Sequence, residues 1–169
     1  MKTAYFFLAA CVMAAPALAQ VPVGCDKFKW PLDKERATLN GTDLPKIASG
    51  ASVTFPIPFG TIVALVPFTD AKLPLPPPPE RAPKSPDTFA GFFEAPAAKQ
   101  PGSYKITLSA EGWIDVTQSG QTVKSSAFSG ALGCEGVRKS VKFDLAAAPF
   151  TVELSSIKAD TIKIVISKD

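Results

Sequence analysis

Gly102-Ser103-Tyr104-Lys105-Ile106-Thr107-Leu108-Ser109 alternates apolar and polar side chains at a period of two. In an extended chain, Tyr104, Ile106 and Leu108 point to one side and Ser103, Lys105 and Thr107 to the other, the pattern of a half-buried strand. A turn at Ala110-Glu111-Gly112 leads to Trp113-Ile114-Asp115-Val116-Thr117-Gln118, and Ser119-Gly120 leads on to Thr122–Phe128. After a loop carrying Cys134 comes Val137–Leu145, with Val141, Phe143 and Leu145 on one face. Phe150, Val152 and Leu154 alternate next, then Ile162, Ile164 and Ile166. Six short runs of this kind, roughly 10–12 residues apart, predict a mainly β fold, a single antiparallel β-sandwich of jelly-roll or immunoglobulin-like type.

Upstream, the pattern weakens. Thr61–Phe68 is apolar on both sides and reads as a central strand. Val53–Phe59 alternates, but Pro56 and Pro58 cannot donate to a ladder, so an edge strand or an irregular arm is expected. Nine of the 17 prolines fall between Ala71 and Pro101, and Pro76–Pro79 is an unbroken polyproline run. Residues 70–101 are therefore expected to be a stiff, proline-rich surface loop, with Phe89, Phe92 and Phe93 forming a short strand or a plug on the core. One short helix is expected after Trp30-Pro31, with acids in its first turn and Asn40-Gly41 ending it. Its Leu32, Glu35, Arg36 and Leu39 share a face that mixes charge with apolar groups, so the helix should be half exposed.

The chain has 169 residues, 46% apolar and 20% charged, enough for one domain with a core and too apolar for disorder. It has no histidine. That excludes Ser-His-Asp and Cys-His triads, His-bearing zinc sites and the two-histidine-one-carboxylate iron triad. No phosphate loop, dinucleotide fingerprint, nucleophile elbow or calcium loop is present, and carboxylates are scattered from Asp70 to Glu153 with no motif joining two. No metal site, no cofactor and no catalytic residue is expected, and the protein is not expected to be an enzyme.

Met1-Lys2, an apolar run from Ala4 to Ala15 and the site Ala17-Leu18-Ala19 form the pattern of a bacterial secretory signal peptide over residues 1–19. Cleavage after Ala19 would leave 169 − 19 = 150 residues in one domain, 20–169, destined for the periplasm or beyond. A competing reading takes Leu8-Ala9-Ala10-Cys11 as a lipidation site, against which stand the apolar residues that follow it. Without Lys2, 17 basic residues face 15 acidic ones, a net charge of +2 that points to no nucleic-acid partner. No later stretch is long and apolar enough to span a bilayer as a helix. Cys25 and Cys134 remain, and an even cysteine count in an exported chain predicts a disulfide between them.

Candidate ligand contacts come from the Trp113 run. If Ile114 and Val116 face the core, Trp113, Asp115 and Thr117 face solvent, and an aromatic plane beside an acid and a hydroxyl is the make-up of a sugar platform. Burial of Trp113 at the rim of the fold is the competing reading. Arg138, with Lys139 and Lys142, adds a small basic cluster suited to an anionic group. Trp30 reads as packing beside the disulfide.

Cys25–Arg36, Gly102–Val116 and Cys134–Leu145 together resemble a family of small exported bacterial proteins with no assigned activity, a resemblance that implies export but no catalytic residue. More loosely, residues 102–167 resemble the sandwiches of carbohydrate-binding modules. The expected function is non-catalytic binding of a glycan or cell-envelope polymer through Trp113, Asp115, Thr117 and Arg138. The alternative is a periplasmic accessory or structural role through protein–protein contacts, and a hydrolase with two facing acids stands third.

Overall fold

The computed structural model describes residues 20–83 and 85–169. The expected signal peptide, and Cys11 within it, lie outside these residues. Within them the chain forms twelve strands and one α-helix. The strands are β1 (Lys46–Ala48), β2 (Ala51–Ser52), β3 (Phe59–Ala64), β4 (Val66–Pro67), β5 (Phe89–Ala95), β6 (Gly102–Leu108), β7 (Trp113–Gln118), β8 (Gln121–Val123), β9 (Ser125–Gly130), β10 (Lys139–Leu145), β11 (Phe150–Ile157) and β12 (Thr161–Lys168); the helix is α1 (Asp33–Leu39).

Two sheets result. The first runs β1-β3-β12-β6-β10-β9; the second runs β2-β5-β11-β7-β8, with β4 also paired to β5. Every interior pair is antiparallel, but β1 joins β3 and β2 joins β5 in parallel. The sheets are therefore mixed, where an antiparallel arrangement was expected. The cause is local. Ser49-Gly50 separates β1 from β2, and the positive φ of Gly50 (85°) turns the chain from an edge of one sheet to an edge of the other. Two runs that read as single strands also divide between the sheets. Thr61–Phe68 leaves the first sheet after Ala64 and enters the second at Val66; Thr122–Phe128 leaves the second after Val123 and enters the first at Ser125. Periodicity alone does not mark such a transfer, because the side-chain pattern continues through it.

Both sheets feed one apolar cluster. Val63, Ile106, Val141, Phe143 and Ile164 come from the first; Phe93, Ile114, Val116, Val152 and Leu154 come from the second. Each such side chain taken from water contributes about 1.5–3 kcal/mol. Phe89–Ala95, read as strand or plug, is strand β5, paired to β11 through five consecutive residues.

The opposite face of the first sheet is covered by residues 25–39. Leu32 and Leu39 pack with Val137 and Val165, and Phe28, Trp30 and Cys134 close over them. Cys25 and Cys134 form the expected disulfide, their Cα atoms 4.7 Å apart. Trp30 donates its indole N–H to Ser140 (3.2 Å), and the Ser140 and Thr107 hydroxyls meet at 3.0 Å, so the polar atoms beneath the cover are paired. The helix is half exposed as expected, but on its mixed face Leu32, Glu35 and Leu39 are buried and only Arg36 is partly exposed. Glu35 is 4% exposed because it accepts hydrogen bonds from Ser167 (2.5 Å) and Lys105 (3.0 Å). Burial pushes the Glu35 carboxyl up, but these donors outweigh it and hold it below its ordinary value. Lys163 donates to the carbonyls of Leu39 (2.9 Å) and Gly41 (3.3 Å), satisfying acceptors at the helix end. The helix sits so close that a Cβ on Gly60 of β3 would lie 2.5 Å from the Thr38 methyl.

Candidate functional site

Strand β7 carries three of the four candidate residues, Arg138 directly preceding β10, and the alternation of β7 is as read. Ile114 and Val116 enter the core, while Trp113, Asp115 and Thr117 take the other face. That face is not open to solvent throughout. Residues 73–81 pass over it, and the four divide between two concavities.

The larger concavity is a groove of about 690 Å³ beside Trp113, whose indole is 40% exposed. Phe128 of β9, 63% exposed, lines the same groove, with Ile114 and Val141 at its base. The two aromatics belong to different sheets, so the groove lies where β7 of one approaches β9 and β10 of the other. Three cations stand around it. Lys139 Nζ lies 4.3 Å and the Arg81 guanidinium 5.6 Å from the Trp113 ring centroid, within cation–π range. Arg138 is paired with Glu111 through Nη2, and Lys139 donates to the Gly112 carbonyl at 2.8 Å. Burial pulls the Lys139 ammonium below its ordinary value, and the charges of Arg138 and Arg81 act in the same direction, while Glu111 opposes them.

The smaller concavity, about 420 Å³, lies between the second sheet and the proline-rich segment. Asp115, Thr117, Thr122, Glu153 and Ser155 form its polar floor, and Leu73, Leu75 and Pro76–Pro78 its apolar roof. Asp115 and Glu153 are direct cross-strand partners. Both are engaged by the roof: Arg81 Nη1 forms an ion pair with Asp115, and the Leu75 N–H is shared by the two carboxylate oxygens of Glu153 at 3.3 Å each. Glu153 is 3% exposed, and this burial, reinforced by the charge of Asp115, pushes its carboxyl up to about 7 against the opposing Leu75 hydrogen bond.

Thus Trp113 and Arg138 share the groove, Asp115 and Thr117 share the roofed cavity, and Arg81 lines both. Asp115 and Thr117 do not face free solvent as expected; the proline-rich segment covers them, and Thr117 is buried. The basic cluster of Arg138, Lys139 and Lys142 does not form one patch on β10 and the residues before it. Instead Ser140 is fully buried under the N-terminal cover, Lys142 packs against the Trp30 ring, and Lys139, on the opposite face, reaches Trp113. Sequence reasoning missed Arg81, Phe128, Lys139 as a groove residue, and Glu153. Strand alternation offered a signal for Lys139, two positions from Val141; nothing local signals that Arg81 arrives from a loop. Among the described residues no group of three or more His, Cys, Asp or Glu side chains is placed to hold a metal ion. No helix among them is long and apolar enough to cross a membrane.

The chain matches no protein-family model, no curated protein and no solved structure.

Proposed function

We propose that the protein is an exported, non-catalytic binding protein for a glycan or cell-envelope polymer, with the Trp113 groove as its site. The observation that carries this reading is the pair of exposed aromatics, Trp113 and Phe128, on one concavity bordered by hydrogen-bond donors. Export is supported by the leader-like residues 1–19 and by the Cys25–Cys134 disulfide, a bond that persists in oxidising compartments. The two sheets sharing one apolar core support a sandwich of the kind that presents such platforms. The acids Asp115 and Glu153, although adjacent, are both tied to the strap above them, so their role in this reading is to anchor the groove wall.

The test is a screen of residues 20–169 on a glycan and polysaccharide array, beside Trp113→Ala. Binding that disappears in the variant is expected; binding unaffected by the variant, or none at all, rejects the platform.

A second reading, docking of a protein partner, is favoured by one observation. Val21, Val23, Phe128 and Leu132 are exposed apolar side chains near this groove, with Val23 and Leu132 bridged in parallel. Crosslinking in the native envelope separates it from glycan binding, because a partner would be captured through this edge even in Trp113→Ala.

A further inference from the structure

We infer that the polymer bound in the Trp113 groove is acidic, a polysaccharide carrying carboxylates such as uronate units. This inference rests on the glycan reading above and adds the chemical class of the ligand.

The charge of the groove is out of proportion to that of the chain. Residues 20–169 carry a net charge of only +2 (17 basic, 15 acidic), yet the groove lining alone gathers Arg81, Arg138 and Lys139 against Glu111, with Asp115 of the adjoining cavity paired to Arg81. The cations retain free donors. A guanidinium has five N–H groups and an ammonium three. Among the described residues, Arg81 uses Nη1 toward Asp115, Arg138 uses Nη2 toward Glu111, and Lys139 donates to the Gly112 carbonyl and lies 3.8 Å from Glu111 Oε1. Arg81 and Lys139 lie beside the indole and Arg138 lines the same groove, and arginine forks suit planar carboxylates in bidentate geometry. The placement of aromatic and cation is also what an acidic sugar needs. Its C–H groups would lie against the exposed part of the indole while its carboxylate meets a cation 4.3–5.6 Å from the ring centre. Burial lowers the pKa of the Lys139 ammonium, so an anion placed beside it regains the electrostatic stabilisation that desolvation removed. A neutral glycan would use the aromatic surface alone and leave the cations with only Asp115 and Glu111, two acids shared among three cations. Glu111 sets the limit on affinity, since it competes with the ligand for Arg138.

The experiment is calorimetric titration of residues 20–169 with polygalacturonate, alginate and hyaluronate, each beside its carboxyl-reduced neutral form. We expect an acidic polymer to bind at least about tenfold more tightly than its neutral form, a difference of ~1.4 kcal/mol. We also expect weakening by about tenfold or more between roughly 0.05 and 0.5 M NaCl, because opposite charges are screened. Arg138→Gln and Lys139→Gln should each weaken binding, while Glu111→Gln should strengthen it; thermal melts of the variants check their folding, and the salt series on the unaltered protein needs no variant. Equal binding of acidic and neutral forms without a salt effect overturns the acidic assignment and leaves the glycan reading intact. Binding of neutral array members alone does the same. Failure of every acidic and neutral polymer, with the melt unchanged, overturns both.

Discussion

Each sheet has one face in the common core and one face covered by a segment from elsewhere in the chain, but the two covers are made differently. Residues 25–39 close the first sheet with Leu32, Leu39 and Trp30, a disulfide and a Glu35 carboxylate held by Ser167 and Lys105. Residues 73–81 roof the second sheet with leucines and prolines but rest on an ion pair and one shared N–H, and leave about 420 Å³ beneath. The first cover removes apolar surface from water with no unpaired polar group. The second holds polar groups at the margin of a cavity and delivers Arg81 to the groove beside Trp113. A tight cover stabilises; a loose one with directed polar groups has the composition of a binding wall.

The largest expected effect lies under the tight cover. The disulfide closes a loop spanning 109 positions. Replacing Cys25 and Cys134 by serine should cost about 4 kcal/mol in the chain-entropy account. At the usual scaling for a domain of this size, that is a fall of about 10 °C in melting temperature. An unchanged melting temperature would mean that residues 25–39 hold without their covalent tie, and the contrast between the covers would weaken.

Glu35→Ala should follow at about 3 kcal/mol, since it leaves the largely buried Lys105 with only the more distant Asp169 (3.9 Å) and removes the acceptor of Ser167. The same group gives a sign in pH. Its carboxyl is held below the ordinary value in the folded chain, so its contribution is present above the unfolded value and is lost as pH falls through the folded one. Denaturant midpoints of the protein and Glu35→Gln should therefore converge in acid.

Glu153 has the opposite sign. With its folded value near 7 and an ordinary value of 4.5, the folded chain holds more protons than the unfolded one between these limits, so stability falls as pH rises across them. Glu153→Gln keeps an acceptor for Leu75 and removes the ionisation. It should stabilise the protein by about 2 kcal/mol at pH 8 and change little at pH 4. A variant with the same pH profile as the parent would show that the loose cover does not bury a carboxylate.

The smallest effect on stability belongs to Trp113→Ala, under about 1 kcal/mol for an exposed side chain away from the core, with loss of glycan binding as its main consequence. A large fall in melting temperature would instead make the indole a packing element, as Trp30 is.

Much of this contrast was legible in the chain. The alternation of Gly102–Leu108 and Trp113–Gln118 gave the strands and their core faces, and Cys25 and Cys134 gave the tie of the first cover. What stayed hidden depends on contacts distant in sequence. Asp115 and Thr117 alternate as solvent-facing residues, and only the path of the proline-rich segment covers them. Glu35 reads as a charge on an exposed helix because its partners, Lys105 and Ser167, lie 70 and 132 positions away. The transfers between sheets near Leu65 and Lys124 leave no break in periodicity.

The two tryptophans report on the two sides of the molecule, Trp30 within the closed cover and Trp113 in the open groove. The most direct test follows their indole N–H signals by nuclear magnetic resonance while neutral and uronate oligosaccharides are titrated into the protein. The Trp113 signal should shift in a saturable manner while that of Trp30, bonded to Ser140 at 3.2 Å, stays in place. A Trp113 signal that does not move at millimolar oligosaccharide, or a Trp30 signal that moves with it, would contradict the assignment of binding to the open side of the molecule.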